Sequence, residues 1–303
     1  MKLNDWKLKY LEYCKIQRNL ATLTLKAYGR DIDAFIEFLQ LQHNTTSAEF
    51  VTDTIVGQFL IQQYSHNTSP KSLSRYRSSL NNLFAYILHN KGITNNPVEL
   101  VNTPKIGSKL PEVLDVDTVN RLLNISAESE IAIRDKAIIE LFYSSGLRLS
   151  ELSNLFWFNI DFEQALVTVI GKGNKQRLVP VGNQALLALQ HWRPIGKLWD
   201  VATTGHVFIS KRGGQFKQRS IQARIKYWAQ RQGLWERVYP HLLRHSFASH
   251  VLESSGNLRA VQEMLGHADI STTQIYTHLN FQHLAKVYDK AHPRARKRPS
   301  RDK

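Results

Sequence analysis

Residues 240–250 read PHLLRHSFASH, and they are the natural starting point for this chain. Pro240 suits the first position of a helix, which places His241 in the first turn and Arg244 three residues later on nearly the same face. The free N–H groups and the dipole of a helix N-terminus favour an anion. The fork of an arginine matches two phosphate oxygens. We therefore interpret this stretch as phosphate-binding.

The alternative for the same stretch is a metal site built on His241 and His245. A zinc site needs three or four ligands, and no Asp or Glu is interleaved here. His250 lies too far along the helix axis to share the ion, and Arg244 would repel it. We therefore expect no metal and no other cofactor, and we interpret His245 and His250 as packed helix residues with local hydrogen bonds.

Bulk composition also favours a polyanionic partner. Among 303 residues, 40 Lys and Arg face 25 Asp and Glu, a formal net charge of +15. Each basic group at a phosphate releases a condensed counterion, which favours nucleic acid. Cys14 is the only cysteine, so one chain can form no disulfide or thiolate cluster. With no apolar run of eighteen residues, we expect a soluble, cytoplasmic protein with no membrane partner.

The periodicity of apolar residues predicts a mainly α fold with a small antiparallel β-sheet, in two domains. Helical stripes dominate the first third, and Ser69-Pro70 is typical of a helix start. The stretch NTPKIGSKLPE, 102–112, has no periodicity and reads as a linker. We predict a helical domain over 1–104, a linker over 105–111 and a mixed α/β domain over 112–303. The stripes consist of Leu25, Tyr28, Ile32, Phe35, Ile36 and Leu39, then Leu73, Tyr76, Leu80, Leu83, Phe84 and Ile87.

The second domain carries the β-strand signals. Strands are predicted over 166–170 and 177–181, joined by the glycine-containing turn GKGNKQ, with a third strand over 207–210. Gly146 should end one helix, and Ser150 should cap the next. The basic tail HPRARKRPSRDK, 292–303, is expected to be disordered.

Further candidate residues follow in order along the chain. Arg148 comes two residues after Gly146, the glycine that is expected to end a helix, so it would lie on a short and fixed connection. Lys172 occupies a hairpin tip between two glycines, where it can enter a DNA groove. His267 follows Gly266, and Tyr276 comes nine residues later. Taken alone, each signal is weak: the alternative for Arg148 is an ordinary surface arginine, which the residue by itself favours, and the alternative for Lys172 is a solvated turn. Their order in one chain is far more specific.

That order resembles the tyrosine recombinase, or phage integrase, family, and within it the bacterial Xer subfamily. The matching motifs are GLRLSEL (146–152), GKGNKQRLVP (171–180), HLLRHSFASH (241–250) and LGHADISTTQIYTH (265–278). The resemblance extends over the helical first third, which is similar to the family's core-binding domain, and implies a catalytic domain after it. It implies Tyr276 as nucleophile, Arg148 and Arg244 on the scissile phosphate, and Lys172 as general acid. His241 and His267 would complete the pocket.

The resemblance also implies a function and partners. These are site-specific recombination of duplex DNA through a Holliday junction at a dif-type site, a XerD-like recombinase in a heterotetramer, and an FtsK-like DNA translocase as regulator. Basic residues early in the helix after Ser69 and at the hairpin are further candidates for DNA contact, an ordinary solvated face being the alternative. They are Lys71, Arg75, Arg77 and Lys175.

Several alternatives remain open from the residues alone. Tyr239 and Tyr288 are chemically acceptable nucleophiles. Leu284, Val287 and Tyr288 either contact a partner protomer or close their own core. A type IB topoisomerase uses similar tyrosine chemistry, a mobile-element integrase shares the motifs, and a DNA-binding protein without cleavage shares the charge. An integrase that uses arm sites would carry a further N-terminal domain.

Overall fold

The computed structural model describes residues 1–101, 112–170, 176–234, 238–266 and 287–295. The chain divides into two compact units, Met1–Leu110 and Pro111–Lys303, each with its own hydrophobic core. Helices dominate both units, and the second contains one three-stranded antiparallel sheet. The predicted fold class is confirmed.

Over its described residues, 1–101, the first unit contains four helices and one 3-10 turn: α1 (Leu3–Ile16), α2 (Thr22–His43), the turn Ala48–Phe50, α3 (Asp53–Ser65) and α4 (Pro70–His89). The predicted start of α4 is confirmed, because the hydroxyl of Ser69 accepts a 3.2 Å hydrogen bond from the backbone N–H of Ser72. The two predicted apolar stripes line α2 and α4 and pack together. Aromatic rings join the helices at the centre of this core, with the ring centroids of Phe35 and Phe59 5.2 Å apart.

The second unit is built around the buried helix α6. Its helices are α5 (Val116–Leu123), α6 (Glu130–Ser145), α7 (Leu149–Ser153), α8 (Asn183–Trp199), α9 (Gln218–Arg231), α10 (Pro240–Ser255) and α11 (Leu258–Leu265); residues 287–291 are also helical. Helix α6 packs against α8 and α10. Its serine cap, Ser129, and the left-handed Gly146 at its end, with φ +56°, define its length. The predicted stop at Gly146 is confirmed.

The sheet has the order β1 (Ile160–Asp161), β2 (Leu166–Ile170) and β3 (Gln176–Pro180), all antiparallel. The predicted hairpin is confirmed, with Ile170 paired to Gln176 on either side of the turn. The prediction of a strand over 207–210 is wrong. That segment makes one isolated bridge, Ile209 to Gln215, because its backbone bonds to separate loops: Val207 donates to Leu155 and Phe208 accepts from Phe216.

Residues 287–295 pack into the core of the second unit. Tyr288 and His292 are buried there, and Val287 packs against the core. The guanidinium of Arg294 pairs with the buried carboxylate of Glu140 on α6. The expectation of disorder is therefore wrong for residues 292–295, since this pair and the buried rings hold them. Leu284 and residues 296–303 lie outside the described residues.

Tyr288 decides one of the open alternatives. Its hydroxyl donates to the backbone oxygen of Ser144 at 2.8 Å, and its side chain belongs to the core of its own unit. The interpretation that this residue closes its own core is confirmed for Tyr288, and contact with a partner protomer stays a prediction for the segment. No helix of the described segments combines the length and the apolar character that crossing a bilayer requires.

Candidate active site

Arg148 is held on a short connection between two helices. Helix α6 ends at Gly146, and Arg148 is the residue before the first turn of α7. Its backbone N–H donates to Oε2 of Glu151 at 2.7 Å, and its Nη1 donates to Oε1 of the same carboxylate at 2.9 Å. The predicted short and fixed position of Arg148 is confirmed. The prediction that Ser150 caps α7 is wrong, because Ser150 lies inside the helix: Arg148 occupies the N-cap position, and its backbone N–H is bound by the Glu151 side chain from the third helical position.

The first turn of α10 presents His241 and Arg244 as the sequence predicts. Pro240 is the first residue of the helix, and His241 is exposed beside it. Arg244, one turn further, is half-buried and donates from Nη1 to the oxygen of Gly146 at 2.5 Å. This bond ties the start of α10 to the connection that carries Arg148.

The two arginines converge on the end of α11. Nη2 of Arg244 donates to the backbone oxygen of Leu265 at 2.7 Å, and Nη2 of Arg148 donates to that of Gly266 at 3.1 Å. Because these carbonyls belong to consecutive residues, the two guanidiniums occupy one pocket, although 96 positions separate them in the sequence. About a third of the Arg148 side chain remains exposed, which leaves it open to a ligand.

A carboxylate and a third arginine complete this cluster, and sequence reasoning missed both. Arg177 on β3 is buried and grips Glu151 with both arms, Nη1 to Oε1 at 2.7 Å and Nη2 to Oε2 at 2.8 Å. Its Nε donates to the oxygen of Met264 at 3.1 Å. The spacing of Arg148 and Glu151, three apart across a helix start, was the available signal.

Electrostatics in the cluster are dominated by positive charge. Burial lowers the pKa of Arg244 to about 10, and the charges of Arg148 and Arg177 act in the same direction while Glu151 opposes them. Burial by itself would raise the pKa of Glu151, but the hydrogen bonds and charge of Arg177, joined by those of Arg148, lower it to about 2. The pocket thus contains three guanidiniums and one carboxylate that is ionised at neutral pH, and its net positive charge would attract an anion.

Four of the predicted site residues lie outside the described residues. They are Lys172, Lys175, His267 and Tyr276. In the sequence, Lys172 and Lys175 lie between the end of β2 at Ile170 and the start of β3 at Gln176, and His267 follows Gly266, the residue that caps α11. Their roles stay predictions.

The described tyrosines narrow the choice of nucleophile. Burial raises the pKa of Tyr288, and its hydroxyl is bonded to Ser144, so it cannot supply a phenolate to a substrate. Tyr239 is 40% exposed and immediately precedes α10. On chemistry alone Tyr239 stays open beside Tyr276.

The described histidines do not form a metal centre. Nδ1 of the buried His250 lies 2.9 Å from the hydroxyl of Tyr143, which confirms its interpretation as a packed helix residue. His245 is half-buried on the same helix. Across the parts of the chain that the structure describes, no three His, Cys, Asp or Glu side chains approach one another closely enough to share an ion.

In the first unit, the three predicted DNA-binding residues occupy the early turns of α4. Lys71 is exposed, and the guanidinium of Arg75 pairs with the buried Asp31 on α2. Arg77 donates to the backbone oxygens of Val101 and, at 3.2 Å, Glu99. Arg75 and Arg77 thus have protein partners, and contact with DNA stays a prediction for all three.

Two family models match the chain. Residues 112–283 match the phage integrase family, and residues 8–91 match the phage integrase N-terminal SAM-like domain. Together they span both compact units.

The chain is similar to several curated proteins. It is 48% identical to the tyrosine recombinase XerC of Xanthomonas campestris pv. campestris (strain B100), over 95% of this chain and 88% of that protein. It is 42% identical to the tyrosine recombinase XerC of Escherichia coli O139:H28 (strain E24377A / ETEC), over 95% of this chain and 96% of that protein.

Solved structures agree with the fold. The XerH site-specific recombinase bound to difH substrate in a pre-cleavage complex superimposes with a TM-score of 0.67 at 25% identity, over 92% of this chain and 83% of that one. The Tn1549 transposon integrase in complex with circular intermediate DNA gives a TM-score of 0.72 at 16% identity, over 89% and 93% of the chains, which shows the fold alone.

Proposed function

Because this chain belongs to the phage integrase family, whose tyrosine recombinases cleave and rejoin DNA, we propose that it carries out site-specific recombination at a dif-like site. The relatives named XerC and the likeness to a XerH complex with difH support this assignment. The observation that carries it is the convergence of Arg148 and Arg244 on consecutive carbonyls at the end of α11.

We propose that Arg148 and Arg244 bind the two non-bridging oxygens of the scissile phosphate. Attack on a phosphodiester builds negative charge on those oxygens, and two guanidiniums stabilise it without a metal ion. Both side chains are already held by backbone carbonyls, so little reorganisation is needed when the phosphate arrives. Loss of one such donor should slow cleavage by roughly 100- to 1,000-fold.

In this mechanism the hydroxyl of Tyr276 attacks the phosphorus. The phenolic proton passes to a neutral histidine, His241 or His267, and the new bond is a 3′-phosphotyrosyl ester. The bond to the 5′ oxygen breaks, and Lys172 donates a proton to that leaving oxygen. Attack by the 5′-hydroxyl of another strand reverses the steps. The ester conserves the free energy of the broken bond, so rejoining requires no ATP and no cofactor.

The proposed assembly is a heterotetramer with a XerD-like recombinase on duplex DNA, controlled by an FtsK-like DNA translocase. Such an assembly exchanges two pairs of strands through a Holliday junction and would resolve chromosome dimers in the cytoplasm. Further contacts to DNA are proposed for four basic residues, three on α4 and one in the turn between β2 and β3: Lys71, Arg75, Arg77 and Lys175.

A nicked suicide substrate tests the chemistry. A duplex carrying the dif site of the source genome, nicked beside the scissile phosphate, should trap a covalent protein–DNA adduct with the wild-type chain, because the severed fragment diffuses away. Tyr276→Phe should form none, and Tyr239→Phe, the matched control, should form it normally. An adduct with Tyr276→Phe would refute the assignment of the nucleophile.

A second pair of assays separates recombination from simple relaxation. Synthetic Holliday junctions should be resolved only when a XerD-like protein is added. Supercoiled plasmid without the site should stay supercoiled. Relaxation of such a plasmid by the chain alone would instead indicate a topoisomerase.

A further inference from the structure

The candidate is the buried side chain of Arg177, which the proposed chemistry does not use. All three of its nitrogens have protein partners: Nη1 and Nη2 bind Glu151, and Nε binds the oxygen of Met264. Only 6% of the residue is exposed, so it is not available to DNA. A buried guanidinium with no access to the ligand must act through its neighbours or serve stability alone.

Those neighbours are the supports of the candidate active site. The carboxylate of Glu151 binds Arg148 and Arg177 at the same time, each through Oε1 and Oε2. A carboxylate gripped by both arms of a buried arginine has a fixed plane. That fixed plane determines where the guanidinium of Arg148 lies.

Arg177 also supports the end of α11 on its other side. Gly266 has φ +64°, and a Cβ atom there would lie 2.9 Å from Cδ of Arg177, so the two residues are in direct contact. The carbonyl of Gly266 binds Arg148, and that of the preceding Leu265 binds Arg244. Both phosphate-binding arginines therefore rest on a helix end that lies against Arg177.

We propose that Arg177 is a positioning residue for the cleavage reaction: through Glu151 and the end of α11, it holds Arg148 and Arg244 in register with the scissile phosphate. The inference rests on the proposed function, because it requires Arg148 to bind that phosphate. It also links β3 to the arginine pocket. Arg148 itself bonds to Glu151 and to the carbonyl of Gly266, and Arg177 supports both of these partners from the buried side, through Glu151 and through the oxygen of Met264 in the last turn of α11.

A double-mutant cycle on the full chain tests this role. Single-turnover cleavage of the nicked dif duplex is measured at saturating DNA for wild type, Arg177→Met, Arg148→Lys and the double variant. Arg177→Met should slow cleavage by roughly 10- to 100-fold, the cost of misplacing a reacting group by about 1 Å, while the Kd for DNA changes little. Its melting temperature should fall, as that of any variant that breaks a buried ion pair should, so cleavage is measured well below the melting temperature of every variant. In the Arg148→Lys background the same change should cost less than about threefold, because the register it maintains is already lost.

The control is Arg134→Met. Arg134 is equally buried, pairs with the carboxylate of Asp135 at 2.8 Å and donates to the oxygen of Ile209, but it has no bond to the arginine pocket. Its loss should reduce stability without a coupling to Arg148→Lys. Should Arg177→Met fail the DNA-binding control, Arg177→Lys, which keeps the charge but not the fork, takes its place in the same cycle.

Three results would overturn the inference. Cleavage by Arg177→Met at the wild-type rate would do so, and so would equal slowing in both backgrounds, which would leave the proposed function intact. Normal cleavage by Arg148→Lys would show that Arg148 does not bind the scissile phosphate. That result would contradict the proposed function and, with it, the inference that depends on it.

Discussion

The ionised carboxylate of Glu151 should make a measurable contribution to stability that disappears in acid. Its ordinary pKa of 4.5 falls to about 2 in the folded chain, where Oε1 accepts from the guanidiniums of Arg177 and Arg148, and Oε2 accepts from Arg177 and from the backbone N–H of Arg148. This difference corresponds to about 3 kcal/mol of unfolding free energy at neutral pH. Because the folded pKa is the lower one, the contribution is complete above the unfolded value and is lost as pH falls toward the folded value.

The assay is urea unfolding of wild type and Glu151→Gln at half-unit steps from pH 7 to pH 3.5. The wild type should exceed the variant by at least about 3 kcal/mol at pH 7, and this difference should shrink by about 1.4 kcal/mol for each pH unit below 4.5. Taking the difference between the unfolding free energies of wild type and variant cancels the pH dependence of the other carboxylates. The control for the substitution itself is Glu163→Gln, because Glu163 is an exposed glutamate in the same unit. A difference that stays constant across this range would refute the reasoning.

Three further predictions concern the surroundings of the pocket. Gly146→Ala should unfold more easily by about 3 kcal/mol or more in urea titration, because the residue has φ +56° and a Cβ atom would lie 2.3 Å from Cδ1 of Phe247. Tyr288→Phe removes the donor to the oxygen of Ser144 and should lower the unfolding free energy by about 1–2 kcal/mol, measured the same way. His241→Ala, at an exposed position, should change that free energy by less than about 0.5 kcal/mol while it slows cleavage of the nicked substrate.

Helix starts and helix ends could be predicted from the sequence, because the residues that determine them lie within one turn of each other. Ser69 with Pro70, Gly146 and Pro240 each begin or end a helix where the pattern predicts, because a cap satisfies backbone groups only a few residues away. The hairpin of β2 and β3 was readable for the same reason. The motif order along the chain then indicated which of these local features belong to one site.

Contacts between distant positions were not readable. Arg177 and Glu151 lie 26 residues apart in the sequence. Arg294 and Glu140 lie 154 residues apart. No pattern of neighbouring residues predicts pairs at such separations. Asp31 on α2 is likewise buried, and its partner Arg75 reaches it from α4, 44 residues further along the chain. A buried charge requires a partner from another element, and only the packed core determines which element supplies it.

The crowding of Arg148, Arg177 and Arg244 around one carboxylate has a consequence for handling the protein. Like charges held this closely repel one another, and this repulsion lowers the free energy of unfolding of the chain when no DNA is bound. Any small polyvalent anion that enters the pocket relieves that repulsion and, by mass action, favours the folded form. Sulfate or pyrophosphate should therefore stabilise the folded protein during storage and, at higher concentration, compete with DNA for the pocket.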